Sequence, residues 1–384
     1  MRIYLDHNAT TPLRPEVREA MARALGESYG NPSSPHAEGA AARVAVEAAR
    51  DHVAAAIGLR GWEPGERIVF TAGASESNNA ILRGGPGAAP GSRVIATTVE
   101  HPSVDAPLED LAGHGVRVER LPVDAEGLVD PGRLDRLLEE ETSLVSILWG
   151  NNETGVLQPL DTISQAVRAR GAWLHVDATQ VLGKHPLDVR QWPVDSLALS
   201  AHKLNGPKGV GCLYLRDASG LAPWVLGGGQ ERGLRGGTEN VAGIVGFGEA
   251  CAGVHKDGAQ RIRNYGALRD RLWQGLCDRV QGVRRNGCGE RVLCNTLNVE
   301  FEGATGDVLL QALDLEGVAV SAGAACHSGS ISASHVLLAM GRSPEQAQAS
   351  LRLSVGYGVD EQQIDRVVEL LADLVPRTRE ARGS

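Results

Sequence analysis

The stretch Trp173-Leu-His-Val-Asp-Ala-Thr-Gln180 joins a short apolar run to a polar cluster, and Ser196-Leu-Ala-Leu-Ser-Ala-His-Lys203 repeats that arrangement. From about Arg67 onward, such β-rich runs alternate with segments of helical composition. This alternation is typical of an α/β domain with a mostly parallel sheet. The other runs of this kind are Ile68-Val-Phe, Val94-Ile-Ala, Leu144-Val-Ser-Ile-Leu and Val210-Gly-Cys-Leu-Tyr-Leu.

Five of these predicted strands end directly in polar residues, at positions 73–79, 100–101, 150–155, 177–180 and 200–203. In open α/β sheets, ligands bind outside the carboxyl ends of the strands. A polar cluster after one strand is also what an ordinary hydrated loop provides. Because the five clusters are chemically complementary, we expect them to form one shared site.

The contents of these clusters match the needs of one cofactor. Asp177 follows an apolar strand, and a buried carboxylate there needs a cationic partner such as a protonated pyridine nitrogen. The turn Gly73-Ala74-Ser75 opens a helical stretch and offers N–H groups to a phosphate, which Ser200 and His202 could also reach. Pyridoxal phosphate requires such a carboxylate and phosphate cup together with a lysine. The sequence therefore predicts a pyridoxal phosphate site at Lys203.

Two further residues are candidates for binding and proton transfer. His101 begins a His-Pro step and could stack on the cofactor and shuttle protons, although an isolated histidine of this kind is more often structural. Arg352 lies in the strand-like run Leu351-Arg-Leu-Ser-Val and could clamp a substrate carboxylate with its planar fork. An ordinary surface salt bridge is the alternative for Arg352, and both interpretations stay open.

Cys326 lies in the small-residue segment Ser321-Ala-Gly-Ala-Ala-Cys-His-Ser-Gly-Ser-Ile-Ser. Most free cysteines are buried in packed cores, and this setting is not typical of one. The pattern predicts a reactive thiol that needs a nearby base or cation to form the thiolate. An incidental exposed thiol is the alternative. His327 and His335 are close in sequence, but neither is assigned a role.

Composition limits the classes of function. A net charge of −9 argues against nucleic acid as a partner, because phosphate backbones are bound by basic surfaces. The first residues contain no apolar signal-peptide core, and no segment has the length of a membrane span. Six scattered cysteines do not form a disulfide framework, and the spacing of Cys288 and Cys294 does not suit structural zinc. We therefore expect a cytoplasmic protein without a resident metal.

These segments together resemble the cysteine desulfurases of the iron–sulfur cluster and nitrogenase-associated type, within the class-V aminotransferases. The resemblance extends over nearly the whole chain. It rests on the clusters above and on Tyr4-Leu-Asp-His-Asn-Ala-Thr-Thr-Pro, Gly30-Asn-Pro-Ser-Ser, Glu100-His-Pro-Ser and Gly227-Gly-Gly-Gln-Glu-Arg-Gly-Leu-Arg-Gly-Gly-Thr-Glu-Asn.

The resemblance implies a fold-type I pyridoxal phosphate homodimer. It implies a large cofactor domain of mostly parallel sheet at residues 16–258. A smaller α+β domain would combine residues 1–15 with residues 259–384 and carry the Cys326 segment. The apolar helix face at Leu268, Leu272 and Leu276 agrees with a change of texture after Gly258.

The resemblance also implies a role for each site residue. Those that would contact the cofactor ring are Lys203 as the Schiff-base lysine, Asp177 at the pyridine nitrogen, Gln180 at the ring hydroxyl and His101 stacked on the ring. Those that would hold the phosphate are Ala74, Ser75, Ser200 and His202, joined across the dimer by Thr238. Asn152 and Arg352 would hold the substrate carboxylate, with Asn152 also contacting the cofactor. Ser75 replaces the usual threonine but keeps its hydroxyl.

The implied reaction converts L-cysteine to L-alanine and leaves the sulfur on Cys326 as a persulfide. The segment from Cys326 to His335 resembles that of the long-loop subgroup, which passes sulfur directly to iron–sulfur scaffold proteins. The resemblance also implies that this cysteine can act as a transient ligand to a cluster bound by the scaffold. The chain lacks the longer tail with which some members engage their scaffold. The alternatives are a selenocysteine lyase, an aminotransferase of the same fold, and a non-catalytic scaffold protein that has kept the fold.

Overall fold

The computed structural model describes residues 2–322 and 333–383. Its strands are β1 Ile3–Tyr4, β2 Arg67–Thr71, β3 Arg93–Thr97, β4 Arg117–Leu121, β5 Leu144–Leu148, β6 Trp173–Asp177, β7 Ser196–Ser200, β8 Gly211–Leu215, β9 Val283–Arg285, β10 Thr296–Phe301, β11 Val318–Ala319, β12 Ser321–Ala322 and β13 Ser350–Ser354. Its α-helices are α1 Pro15–Glu27, α2 Ala37–Ala56, α3 Ala74–Gly84, α4 Pro102–Gly113, α5 Pro131–Leu137, α6 Leu160–Ala169, α7 Val241–Arg279, α8 Gly306–Leu315, α9 His335–Ala339, α10 Pro344–Gln348 and α11 Glu361–Gly383.

The large sheet has seven strands in the order β2-β8-β7-β6-β5-β3-β4. All of them are parallel except β8, which runs antiparallel to β2 and β7. The ten residues between β7 and β8 are too few for a parallel crossover, so the chain turns back directly. The predicted α/β fold with a mostly parallel sheet is confirmed.

Each of the six predicted strands of this sheet is present, and β4 is a strand that the sequence did not predict. β4 reads Arg-Val-Glu-Arg-Leu and lies at the edge of the sheet, with exposed or half-exposed side chains along most of its length. Charged side chains on an edge strand discourage pairing with other molecules, and they also hide the strand from a search for apolar runs.

A second sheet is antiparallel, in the order β12-β13-β10-β9. Leu297, Val299, Leu351 and Leu353 of this sheet are buried in one cluster with apolar residues of α7, α8 and α11. β1 pairs in parallel with β11, which places the start of the chain next to its C-terminal part. α11 begins with reciprocal bonds between Asp360 and Gln363, as the sequence predicted.

The predicted division at position 258 falls inside α7, which continues from Val241 to Arg279 without a break. One end of α7 packs in the cluster beneath the large sheet, and the other packs in the cluster beneath the second sheet. The two-domain division stays a prediction. Within residues 2–322 and 333–383, no helix combines the length and the apolar character needed to cross a membrane.

Candidate active site

A cavity of about 740 Å³ opens at the carboxyl ends of β2, β3, β5, β6 and β7. Ten of the predicted site residues line it: Ala74, Ser75, His101, Asn152, Asp177, Gln180, Ser200, His202, Lys203 and Arg352. Thr238 is exposed and does not line this cavity. Cys326, the predicted sulfur acceptor, lies outside the described residues, as does His327. The described part of the chain contains no acidic, histidine and cysteine cluster suited to a metal ion.

Lys203 lies in a short 3-10 turn directly after β7, with its amine in the cavity. Its Nζ donates hydrogen bonds to the carbonyl oxygens of Asn8, at 2.6 Å, and Ala9, at 2.8 Å. Burial and, after it, the nearby Arg352 charge lower the pKa of Lys203 from 10.5 to about 8, whereas Asp6 and Asp177 act in the opposite direction. About a tenth of the amine is therefore uncharged at pH 7, a far larger fraction than for an ordinary lysine, and the uncharged form is the one that acts as a nucleophile or base.

Asp177 ends β6 with a carboxylate that is only 2% exposed. Its Oδ2 accepts from Asn78 Nδ2 at 2.8 Å, and its Oδ1 accepts from the Thr179 N–H at 3.0 Å. No lysine, arginine or histidine nitrogen among the described residues forms an ion pair with it. A buried carboxylate without a counter-ion needs a cation from the cavity, and a protonated pyridine nitrogen fits that need.

Asp177 stands at the end of a buried chain of hydrogen bonds. Because the carboxylate only accepts, Asn78 must turn its Nδ2 toward Asp177 and its Oδ1 toward His175 Nε2, 3.0 Å away. Burial lowers the pKa of His175 to about 4, so its neutral ring carries the proton on Nε2. Its Nδ1 then accepts from Ser196 Oγ at 2.9 Å, and Ser196 Oγ accepts from Trp173 Nε1 at 2.9 Å. Every donor in this chain points toward Asp177 and stabilises its negative charge.

His101 caps the N-terminus of α4. Its Nδ1 accepts from the backbone N–H of Ser103 at 3.1 Å and lies 2.8 Å from Ser103 Oγ. The same Ser103 Oγ accepts from Asn78 Nδ2 at 2.9 Å. Burial lowers the pKa of His101, although Asp177 acts to raise it. The neutral ring therefore carries its proton on Nε2, and Asn78 connects this imidazole to the Asp177 carboxylate.

Arg352 reaches the cavity from β13 and is largely buried. Its Nη2 donates to Asp6 Oδ1 at 2.7 Å and its Nη1 donates to the Asn152 carbonyl oxygen at 3.0 Å. Its buried Nε has no hydrogen-bond partner within the described ranges. Arg352 thus does form a salt bridge, but inside the cavity instead of on the surface. These two bonds use two of the five N–H groups, so an anion there would find a fixed guanidinium that can still donate.

The cavity is also lined by the predicted phosphate residues. Ala74 and Ser75 form the first turn of α3, where backbone N–H groups have no partner within the helix. Ser200 ends β7, and His202 Nδ1 lies 3.2 Å from Thr10 Oγ1. Burial, together with the charges of nearby lysines, lowers the pKa of His202 to about 4, so its ring is neutral at neutral pH. This set supplies donors to an anion.

Three polar residues that support this site, Asn8, Asn78 and Lys184, were not predicted from the sequence as site residues. Asn8 accepts from both Lys203 and Gln180 through its carbonyl oxygen. Asn78 connects Asp177 with His101, and the buried Lys184 contacts both Asn8 and Gln180. Asn8 lay in a quoted motif, but no spacing rule places a residue near the N-terminus at the edge of a distant sheet. Asn78 belongs to the polar cluster at positions 73–79, but nothing distinguished it from its polar neighbours there, and Lys184 belongs to a turn segment in which polar residues are ordinary.

The chain matches the family described as Aminotransferase class-V over residues 3–367. It is 40% identical to a protein named cysteine desulfurase IscS from Dictyoglomus turgidum, over 98% of this chain and 95% of that protein. This chain belongs to the class-V aminotransferase family. A cysteine desulfurase from Enterobacter agglomerans is 41% identical to this class-V aminotransferase, over 98% of this chain and 93% of the relative.

Solved structures agree with this family membership. A structure described as a NifS-like protein superimposes with a TM-score of 0.90 at 36% identity, covering 98% of this chain and all of the other. A structure described as SspA in complex with cysteine superimposes with a TM-score of 0.78 at 34% identity, covering 93% of this chain and 99% of the other. The predicted family and the predicted fold-type I architecture are confirmed. Class-V aminotransferases depend on pyridoxal phosphate, and the amine, the unpaired carboxylate and the anion-binding turn of this cavity fit that group.

Proposed function

We propose that this class-V aminotransferase is a cysteine desulfurase that converts L-cysteine to L-alanine and transfers the sulfur to Cys326. The observation that carries the proposal is the meeting of Lys203, Asp177 and His101 in one cavity, with the Arg352 guanidinium at its side. The desulfurase names of relatives that match over nearly the whole chain support the same reaction. Binding of pyridoxal phosphate is part of the proposal.

Each group of residues holds one part of the cofactor. Asp177 holds the ring nitrogen and Gln180 the ring hydroxyl, while His101 lies against the ring. Ala74, Ser75, Ser200 and His202 bind the phosphate, and Asn152 contributes a further contact. When bound, pyridoxal phosphate supplies an electron sink for the charge left when the α-proton of the substrate is removed.

The residues of the chain then bind the substrate and move its protons. Arg352 binds the α-carboxylate of cysteine through paired hydrogen bonds, with Asn152 beside it. The Lys203 amine takes the α-proton, because burial lowers its pKa and so increases the uncharged fraction that can act as a base. His101 presents Nε2–H to the reacting groups and can donate that proton.

The sulfur step conserves atoms and electrons. The Cys326 thiolate attacks the substrate sulfur, an S–S bond forms, and the C–S bond breaks with its electron pair moving to carbon. A proton then completes the methyl group of alanine, and Cys326 is left as a persulfide. No outside oxidant is needed, because the substrate carbon is reduced while the two sulfurs are oxidised.

The partners are also part of the proposal. A cytoplasmic iron–sulfur scaffold protein receives the persulfide sulfur, and Cys326 can act as a transient cluster ligand during transfer. Two copies of the chain form a homodimer, in which Thr238 of each copy reaches the phosphate in the cavity of the other. The exposure of Thr238, away from its own cavity, supports that arrangement.

Incubation with L-cysteine and a reductant, with sulfide and alanine measured together, tests the function. Equal yields of the two products are expected, and Cys326→Ala should form neither while keeping the yellow colour of bound cofactor. Full activity of Cys326→Ala would contradict the persulfide step. A requirement for a keto acid would indicate an aminotransferase, and a strong preference for selenocysteine over cysteine would indicate a selenocysteine lyase. A colourless protein that cannot be reconstituted with pyridoxal phosphate would indicate a non-catalytic protein that has kept the fold.

A further inference from the structure

Lys184 is a buried lysine behind the cofactor cavity, and its residue is only 6% exposed. Its Nζ donates to Gln180 Oε1 at 2.6 Å and lies 3.3 Å from Asn8 Oδ1. Neither partner is charged, and no carboxylate in the described part of the chain forms an ion pair with it. A buried cation without a counter-ion costs free energy, so its presence calls for an explanation from function.

The charges around Lys184 do not compensate it. Burial, together with the charges of Lys203 and Arg352, lowers the pKa of Lys184 to about 7. Among the described residues, the acidic group that acts to raise this pKa is the Cys294 thiol, whose own pKa is raised by burial to about 12, so that it stays neutral. A bound molecule that places a negative charge near Lys184 would therefore favour its ammonium form.

Lys184 determines which atoms of the neighbouring amides face the cavity. An ammonium group only donates, so the amide oxygens of Gln180 and Asn8 must point toward it. The Gln180 Nε2 then points away from Lys184 and donates one hydrogen to the Asn8 carbonyl oxygen at 2.9 Å. Its second N–H remains for a ligand, because Gln180 lines the cavity.

We infer that Lys184 is a positioning residue that fixes Gln180 as a hydrogen-bond donor to the ring hydroxyl of bound pyridoxal phosphate and balances the negative charge of that oxygen when it is ionised. The inference rests on the proposed cofactor and goes beyond it by assigning a role to a residue that does not line the cavity. The alternative is a purely structural lysine that ties Gln180 to Asn8. The two roles differ in whether the effect of Lys184 depends on the ring oxygen.

The test uses the apoenzyme and two cofactors, pyridoxal 5′-phosphate and its 3-deoxy analogue, which lacks the ring hydroxyl. Kd values are measured by titration for wild type and Lys184→Met, which removes the charge and keeps a side chain of similar length. The substitution should weaken binding of the natural cofactor about tenfold or more, as expected for a charge-assisted hydrogen bond, and change binding of the analogue by less than about threefold. Because each cofactor is compared with itself, its own reactivity toward lysine cancels.

Lys256→Met is the matched control, because Lys256 is exposed on α7 and should change neither Kd. Equal loss for the two cofactors would assign Lys184 a structural role and overturn the inference, as would no loss for either. Lys184→Gln, which is neutral but still polar, replaces Lys184→Met if that variant does not fold, and the same comparison applies. Failure of wild type to bind either cofactor would instead overturn the proposed function.

Discussion

The Nζ atom of Lys203 lies 2.6 Å from the carbonyl oxygen of Asn8, a residue 195 positions earlier in the chain. This contact joins the turn after β7 to the segment that follows β1. Asn8 in turn donates through Nδ2 to Thr296 Oγ1 and the Asn152 carbonyl oxygen. The first ten residues therefore close one side of the cavity and hold the reactive lysine in place before any ligand binds.

The lowered pKa of Lys203 predicts the pH dependence of cofactor attachment. Only the uncharged amine attacks an aldehyde, and its fraction rises as the pH increases through about 8. The rate at which the apoenzyme becomes yellow with pyridoxal phosphate should increase mainly between about pH 7 and 9 and then level off. Stopped-flow absorbance measures this rate, with Lys203→Ala as the inactive control. A rate that keeps increasing to about pH 11 would show an ordinary lysine instead.

The sequence predicted the large sheet and ten of the residues that line its cavity. That success has a physical cause: apolar parallel strands end at one edge, so polar residues that directly follow them must meet there. The supporting residues could not be found in this way. Asn78 and Lys184 act through side-chain contacts with residues far away in sequence, and those contacts depend on tertiary packing that no local pattern encodes.

The edge strand β4 and the course of α7 show the same limit. β4 carries charges because its side chains face solvent, so its sequence does not show the apolar run of a central strand. In α7 the composition changes after Gly258, but the backbone continues as one helix because both of its ends pack against apolar clusters. The change of composition reflects the change from one apolar cluster to the other along α7. The sequence does not show that the backbone continues as one helix through this point.

Glu100 is a fully buried carboxyl group that we expect to limit stability at alkaline pH. Burial, with smaller contributions from the charges of Asp177 and Asp105, raises its pKa to about 8, although hydrogen bonds from Thr97 and Leu148 act to lower it. Between its unfolded pKa and about 8, the folded state holds a proton that the unfolded state has lost, so stability falls as the pH rises through this interval. Glu100→Gln stays uncharged and keeps an oxygen for Thr97 and Leu148, so its thermal midpoint should exceed that of wild type at pH 9 and match it at pH 5.

Thermal unfolding followed by circular dichroism at both pH values measures this difference. The matched control is Glu119→Gln on the exposed face of β4, which should behave like wild type throughout. An equal change in midpoint for Glu100→Gln at pH 5 and pH 9 would mean that Glu100 is not protonated in the folded protein.

Asn78→Ala should weaken cofactor binding as well as stability. The substitution removes the donor to Asp177 Oδ2 and leaves His175 Nε2–H without an acceptor, at a cost of about 1–3 kcal/mol in unfolding free energy. Asn286→Ala is the matched control, because Asn286 is equally buried and also donates to two side chains, Asn298 and Ser350, away from the cavity. Both variants should lose stability in denaturant titrations, but only Asn78→Ala should release pyridoxal phosphate more readily on dialysis. Equal retention of pyridoxal phosphate by the two variants would mean that Asn78 has only a structural role.

Arg352→Lys should raise the KM for L-cysteine and change kcat much less. Lysine keeps the positive charge but loses the planar fork, and a hydrogen bond to a charged group contributes about 1.5–3 kcal/mol, which corresponds to a KM about tenfold or more higher. Asp6→Asn is the informative comparison, because it removes the ion pair and leaves the guanidinium bonded to the Asn152 carbonyl oxygen. That variant should change KM less than Arg352→Lys does. If Asp6→Asn raised KM as much, the ion pair that positions Arg352 would matter more than the fork itself, and steady-state kinetics on the two variants would show this directly.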